Sequence, residues 1–543
     1  MNMKSELSID VSDFKKLIKR NKIYVDKTEV IKRMRELNGT YHFLSRPRRF
    51  GKSLLISTLK ELFEGDKKLF KDTYIYNHWN WDETYPVIHL DFNNIGSETR
   101  EILEESLNHR LDKIAKNFGI ELESNNLIDK FSDLIEEVHD THKKNVVVLV
   151  DEYDKPVLDN IDNIDTAKAN QKLLKNFHGV LKSLDAVLEF VFITGITQFS
   201  KLSIFSGFNN LKDLTLKEEY STICGYTQEE LEKYFKEFIV NYADLKNINY
   251  KEVINKIKYH YDGYSWDGKS FLYNPYSLMN FFDDDEFNNY WFKSGTPNFL
   301  VKIFKKNFNI GHVYNPIKLY ESELNIFDIE NIKQIPLLFQ SGYLTIMKKE
   351  MIKDEIVYTL KIPNFEVETS ITRNLLENFY IKTENSFRSK RKEILNELKE
   401  GRCDLLVRYL KKEIMNVHYQ LKIRNWRYYQ TLIYFAIKGL DIQTESEVGM
   451  FSGRMDIIIE EKDDNYSFTD NNGHSTIIEL KYTQMKDKNI ETLAKVALNQ
   501  IKEKEYYEKY GCENVTMIGL AIKEIKLKIG SRIDIACKIE NQS

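Results

Sequence analysis

Tyr41–Phe63 reads YHFLSRPRRFGKSLLISTLKELF, and three changes of character inside it decide the fold of the N-terminal half. Tyr41–Ser45 is a short apolar strand. Arg46–Gly51 is a basic turn that ends in glycine. From Ser53 to about Phe63 apolar residues recur at helical spacing. A strand that feeds a glycine turn and then a helix points backbone N–H groups and the positive end of the helix dipole at one spot. An anionic phosphate binds there. In the GKS tripeptide, Lys52 reaches the β- and γ-phosphates of a nucleotide and Ser53 places its hydroxyl on Mg²⁺. Pro47, Arg48, Arg49, Phe50 and Gly51 complete the loop that wraps the phosphates. The usual pattern opens on a further glycine, and here Arg46 holds that place. Arg46, Arg48 and Arg49 either contact phosphates or form a solvated basic turn. No arginine finger can be located.

Outward from this loop, strands and helices alternate. Pro86–Phe92 (PVIHLDF), Val146–Val150 (VVVLV) and Glu189–Thr194 (EFVFIT) are strands, separated by helical patterns near 100–117 and 167–185. Alternation of this kind predicts an α/β fold with a mostly parallel sheet. VVVLV is apolar throughout, as a strand buried on both faces must be. It ends in Asp151 and Glu152. Asp151 at the strand tip suits the Mg²⁺ water shell, and Glu152 suits polarisation of the attacking water. An extra strand between the loop strand and the acidic strand in the sheet fits ATPases that carry their own catalytic acid. Thr194 either senses the γ-phosphate or simply terminates its strand. The cofactors predicted are ATP and Mg²⁺.

Residues 236–410 change character. They are rich in Tyr, Phe and Asn and read as mainly helical, with short β segments at Tyr343–Ile346 and Val357–Ile362 and a charged connecting helix at Lys382–Arg402. A winged-helix-like unit at the end of this middle domain is one reading. Residues 411–543 mix helix and strand again. The expected domains are thus 1–235, 236–410 and 411–543, and a chain of 543 residues is too long for one ordinary core.

The third region carries a second constellation. Gly453–Ile459 (GRMDIII) is a turn leading into a strand with Asp456 near its start, and Thr476–Lys481 (TIIELK) is a second strand. Glu479 and Lys481 are two residues apart, so their side chains share a face. Asp456 joins them if the strands pair. Two carboxylates and an ammonium suit metal-dependent phosphodiester hydrolysis, with Asp456 and Glu479 as metal ligands and Lys481 positioning or deprotonating the water. An ordinary hairpin with exposed charges is the competing reading. The helix in LNQIKEKEYYEKY offers Gln500 and Tyr506 to flank such a site.

Composition narrows the partners. With 79 basic and 83 acidic residues the net charge is −4, so a nucleic-acid surface must be local. Cys224, Cys403, Cys512 and Cys537 have no metal-ligand spacing and suggest no disulfide framework, which fits a reducing interior. The N-terminus MNMKSELSID has no apolar core of a signal peptide, and no run of about 18 apolar residues predicts a membrane span. The expected location is cytoplasmic.

The ordered string of motifs carries a family resemblance. It comprises YVDKT (Tyr24–Thr28), SRPRRFGKSLL, PVIHLDF, VVLVDEYDKP, FITGITQFSKLSIFSGFNNLKDLTL, ICGYT (Ile223–Thr227), YDGYSW (Tyr261–Trp266), YNPYSL (Tyr273–Leu278), YWFKSGTPNFL, SGYLTI (Ser341–Ile346), IPNFEV (Ile362–Val367), GRMDIII and IIELK, with the later NQIKEKEYYEKY. Over nearly its whole length the chain resembles the bacterial AAA-ATPase-like proteins that end in a PD-(D/E)XK nuclease-superfamily domain. The resemblance implies that RPRRFGKS is that family's own P-loop. It implies that Asp456, Glu479 and Lys481 match the superfamily's acid–acid–lysine pattern, with Gln500 as the helix glutamine. The superfamily often adds an acid on the helix before the first core strand. Here Asn425–Leu440 (NWRYYQTLIYFAIKGL) has none, and Glu447 is the substitute, which leaves one, two or no metals open.

Three functions compete on this basis. An ATP-gated nuclease acting on DNA or RNA suits defence or mobile-element biology, by analogy alone. A regulatory ATPase with a binding-only nuclease fold is the second, and a scaffold with two relic sites is the third. Assembly into a homo-oligomer is left open.

Overall fold

Val146–Asp151 (β3) is buried at every position, which requires layers on both faces of its sheet. A computed structural model describes residues 6–9, 11–37, 39–197, 211–293, 316–324, 333–371, 391–416, Tyr429, Ile433, Ala436, Ile437, 444–450, 453–460, 474–503, 514–526 and 531–542. Around β3, the strands β1 (Tyr41–Ser45), β2 (Val87–Asp91), β4 (Leu188–Gly195) and β5 (Lys212–Asp213) form a five-stranded, wholly parallel sheet in the order β2-β3-β4-β1-β5. The strand separating the loop strand from the acidic strand is therefore β4. PVIHLDF forms β2, at the far edge. The helices α1 (Phe14–Lys19), α2 (Thr28–Glu36), α3 (Lys52–Glu64), α4 (Arg100–Asn117), α5 (Leu127–His142), α6 (Lys155–Leu158) and α7 (Ile164–Ser183) accompany the strands. Side chains of Thr99, Asn126 and Asn163 cap the N-termini of α4, α5 and α7 by accepting from backbone N–H groups.

The chain divides into two compact units, Met1–Phe299 with Lys318–Val367, and Leu300–Ile317 with Glu368–Ser543. In the first, the helices Gln228–Tyr234, Lys236–Lys246, Tyr250–Tyr261 and Pro275–Asp284 follow the parallel sheet. They share an aromatic core in which Phe235 stacks on Phe282 and Phe281 on Phe287, and in which Ile23 and Val25 are buried. A three-stranded sheet in the order β6-β8-β7 completes this unit, from β6 (Ile317–Tyr320), β7 (Thr345–Ile352) and β8 (Glu355–Lys361), the last two forming an antiparallel hairpin.

The second unit is built on a mixed sheet in the order β13-β12-β11-β10-β9, from β9 (Thr444–Met450), β10 (Gly453–Glu460), β11 (His474–Thr483), β12 (Asn514–Lys526) and β13 (Ser531–Gln542). Only β11 and β12 run parallel. The helix Ile490–Glu503 lies against β12 at Gly519. A Cβ there would stand 2.1 Å from Ala494 O and 2.4 Å from Leu498 N, so only glycine admits the helix so close. In the helical segment expected at Asn425–Leu440, Tyr429, Ile433, Ala436 and Ile437 are the described residues. They are helical and buried, at the spacing of one helix face. One expectation is corrected here. Cys403 and Cys537 form a disulfide across 134 residues, with Cα atoms 6.7 Å apart. Spacing along the chain carries no sign of such a pairing. Cys224 is free and buried, and Cys512 lies outside the described residues. No described helix is long and apolar enough to cross a membrane.

Candidate functional site

The register of the parallel sheet brings the predicted nucleotide residues to one edge. Leu44 and Ser45 of β1 lie level with Thr194 and Gly195 of β4, and Val150 of β3 lies level with Ile193. The strand tips therefore deliver Asp151, Thr194 and the start of the loop side by side. The Ser53 hydroxyl donates to Asp151 Oδ2 (2.6 Å), and the Thr194 hydroxyl donates to Asp151 Oδ1 (2.7 Å). One carboxylate thus ties together three elements. Burial, then the neighbouring charge of Glu152, raises the Asp151 carboxyl above its ordinary range, while the Ser53 bond works against the rise.

Lys52 is buried at the first turn of α3. Its ammonium donates to Arg46 O and Pro47 O, both at 3.0 Å, and lies 3.4 Å from the Glu152 carboxylate. Glu152 has a φ of +55°, a conformation uncommon for a residue with a side chain. Such outliers concentrate at functional sites. Gly51 has a φ of +93° with nothing within 4 Å of a Cβ built on it, so its backbone angle, not crowding, demands glycine.

The donor set fits Mg²⁺. A single carboxylate beside a hydroxyl at a helix N-terminus is what this hard cation takes from protein when phosphate and water supply its other oxygens. Among the described residues no group of three or more His, Cys, Asp or Glu side chains is arranged to hold a metal without them.

The three arginines part company. Arg46 is fully buried and stacks 4.1 Å over the Trp266 ring. Its guanidinium donates to Ser45 O (2.8 Å), Thr215 O (3.1 Å) and Tyr220 O (3.1 Å). It is neither a phosphate ligand nor part of a solvated turn. Burial lowers it to about 10, which leaves it charged at neutral pH. Arg49 is exposed, with its guanidinium 4.6 Å over the Tyr276 ring, and Arg48 lies 3.9 Å from Asp159. Phe50 is buried edge-on against Tyr264 and Trp266, at ring distances of 5.0 and 5.1 Å.

Asp154, the last acid of DEYD, is a site residue that the sequence reading missed. It is fully buried and accepts from Ile196 N (3.1 Å), Thr197 N (2.6 Å) and the Thr197 hydroxyl (2.6 Å). It anchors the chain just beyond Thr194. Burial and then the charge of Glu152 push it up to about 6. Gly195 makes room for it, because a Cβ there would stand 2.6 Å from Asp154 Oδ1 and 2.5 Å from the Tyr153 ring. A second aspartate three residues after Asp151 is the one signal in the sequence that points to it.

In the second unit, Glu479 and Lys481 lie on β11, and Lys481 Nζ donates to Glu479 Oε1 (3.1 Å) and to Gln500 Oε1 (2.6 Å). Gln500 Nε2 in turn donates to Glu479 Oε1. Glu479 is buried, and the β11–β12 register sets it level with Gly519, the glycine beneath the helix that carries Gln500. β10 pairs with β11 through Ile457 and Ile478, so the backbone of Asp456 adjoins that of Glu479 at this end of the ladder. The side chains of Asp456 and Glu447, and all of Tyr506, lie outside the described residues.

Comparison with known proteins bears on both units. Residues 8–205 match the family described as predicted AAA-ATPase, and residues 424–532 match the PD-(D/E)XK nuclease superfamily. An "uncharacterized protein in vnfD 5'region" from Azotobacter chroococcum mcd 1 is 32% identical over 515 residues, covering 93% of this chain and 94% of that protein. Among solved structures, the Aeropyrum pernix ORC2 protein in ADPNP–ADP complexes aligns with 68% of this chain and 95% of its own. The TM-score of 0.25 and identity of 10% are too low to bear weight.

Proposed function

The chain belongs to the AAA-ATPase-like proteins that end in a PD-(D/E)XK nuclease-superfamily domain, and from that premise we propose that it binds and hydrolyses ATP with Mg²⁺ and couples nucleotide state to a nuclease acting on DNA or RNA. The observation that carries the ATPase reading is the Ser53–Asp151–Thr194 cluster beside Lys52, where α3 and the tips of β3 and β4 meet. Lys52 exchanges the carbonyls of Arg46 and Pro47 for phosphate oxygens. Pro47–Gly51 wrap the phosphates, and Ser53 and Asp151 hold Mg²⁺, which offsets phosphate charge when bound. Glu152 accepts a proton from the attacking water, and Thr194 reports the γ-phosphate to Asp151. In the second unit, Asp456 and Glu479 hold a divalent metal, Lys481 orients or deprotonates the water, and Gln500 fixes Lys481. The regions 1–235, 236–410 and 411–543 serve as ATPase, middle and nuclease-like domains. A cytoplasmic setting, a homo-oligomer and a role in defence or mobile-element biology belong to the same proposal, the last by analogy only.

Binding of a fluorescent ATP analogue and phosphate release test the first half. Lys52→Ala and Asp151→Ala lose binding. Glu152→Gln keeps binding and loses roughly a hundredfold or more in hydrolysis, the usual share of a general base. Unchanged binding and hydrolysis in Lys52→Ala and Asp151→Ala defeat the assignment. Metal-dependent cleavage of plasmid DNA or RNA, with and without ATP, tests the second half. Cleavage is lost in Glu479→Ala and Lys481→Ala, and cleavage that persists there refutes the site. A second reading, a regulatory ATPase whose last domain only binds nucleic acid or a partner, draws on the absence of any acid in Asn425–Leu440. Retention of nucleic acid without cleavage selects it.

A further inference from the structure

Consecutive residues of the phosphate-binding loop are each gripped by a side chain or glycine that follows the parallel sheet in sequence. Arg46 donates to Thr215 O and Tyr220 O and stacks on Trp266. Pro47 packs against Gly342, where a Cβ would stand 2.9 Å from the proline ring. Arg48 O accepts from Trp291 Nε1 (3.1 Å). Arg49 stacks on Tyr276. Phe50 fills a slot between Tyr264 and Trp266 that exists because residue 225 is glycine, since a Cβ there would lie 2.6 Å from the Phe50 ring. Trp291 is itself held from behind. Its backbone N–H donates to Glu366 Oε1 (2.8 Å), and the other oxygen of that buried carboxyl accepts from the Ser277 hydroxyl (2.7 Å).

The Trp291 contact bears on the backbone that wraps the phosphates. Lys52 connects to the same backbone, because its ammonium is bonded to Arg46 O and Pro47 O. A phosphate group that draws Lys52 away removes the donor from both carbonyls, so the loop must re-balance against Arg46 and Trp291. A ligand shifts a packed arrangement only by the difference in its affinity for the alternatives, and the coupling is reciprocal. Because the usual loop glycine is replaced by a buried arginine, the loop lacks the freedom to absorb that change alone.

We propose that Arg46 and Trp291 are positioning residues for the phosphate-binding loop, and that through them nucleotide occupancy is linked to the packing of Trp266 and Trp291. This rests on the ATP reading above. It also gives a role to the YDGYSW and YWFKSG motifs, which neither chemical site uses.

The test uses the full chain labelled with 5-fluorotryptophan and observed by ¹⁹F NMR, with resonances assigned by single Trp→Phe variants. Saturating ATP with Mg²⁺ shifts the Trp266 and Trp291 resonances. It leaves those of Trp79, which packs on Phe63 at the far end of α3, and of Trp81, which packs on Phe70, in place. In parallel, Trp291→Phe keeps an aromatic side chain, though a smaller one, and removes the N–H donor, and it weakens binding of a fluorescent ATP analogue roughly fivefold, the scale of one buried hydrogen bond. Trp79→Phe does not weaken it. If ATP binds and both resonances stay where they were, or if Trp291→Phe binds ATP as the parent does, the linkage is wrong and the ATPase reading stands. If the parent chain binds no ATP, the ATPase reading fails and this inference fails with it.

Discussion

A carboxyl shut away from water holds its proton well above the pH at which it would ionise in solution, and Glu366 is such a group. Burial pushes it up to about 8 from an ordinary 4.5, although the Ser277 hydroxyl and the Trp291 N–H oppose the shift. Between those two values the folded chain keeps a proton that the unfolded chain releases. The stabilisation is therefore complete below 4.5 and is lost as pH rises through 8. Glu366→Gln has no proton to lose. The urea midpoint of the parent should accordingly fall further than that of Glu366→Gln between about pH 5 and about pH 8.5, an equal fall in both counting against the assignment. Asp154 titrates in the same direction but is common to both proteins and cancels. Single residues also mark where the sequence ran out. Gly51, Lys52, Ser53, Asp151 and Thr194 were named from position alone, because a strand tip and a helix start are local features. Arg46 offered a cation and nothing more. Its burial against Trp266 and the Thr215 and Tyr220 carbonyls depends on residues that no local pattern links to it.

At the scale of elements, β1 to β4 are legible because each is a short apolar run bounded by turn residues, whereas β5 is the charged pair Lys212–Asp213 and carries no such signal. The pattern of α5 is equally local. Leu127, Phe131, Leu134, Ile135 and Val138 are buried at helical spacing, and Asn126 caps them. Sheet order was not readable. β4 lies between β1 and β3, and this brings the Thr194 hydroxyl to Asp151. The helix Ile490–Glu503 makes the same point in the second unit. Its approach to β12 is set by Gly519, and that approach brings Gln500 to Glu479 and Lys481. Gly519→Ala forces the helix backbone outward. It should destabilise the C-terminal unit by about 1–3 kcal/mol, the range for overpacking a tight contact, and reduce metal-dependent cleavage. Denaturant unfolding checks the first effect, and an unchanged midpoint would show that the helix yields freely.

Over the whole molecule, the disulfide is the longest covalent link. Cys403 and Cys537 close a loop of 134 residues inside the second compact unit. Reduction should lower the unfolding stability of that unit by about 2–4 kcal/mol. ATP binding should be unaffected, since the nucleotide residues belong to the first unit. Peptide mapping without reductant that finds both thiols free would remove the premise. The sequence by itself determined the family, the α/β character and the phosphate-binding loop, and it named the candidate residues of both sites. These are written in periodicity and short motifs, which the chain carries locally. Tertiary structure alone decided which strand separates the loop from its acid, that Arg46 is a buried brace, and that Cys403 meets Cys537. It alone decided that Trp291 reaches a loop carbonyl 243 positions away. Such pairings follow from how the elements pack once each has buried its own apolar face, and no stretch of sequence short enough to show a period contains both partners.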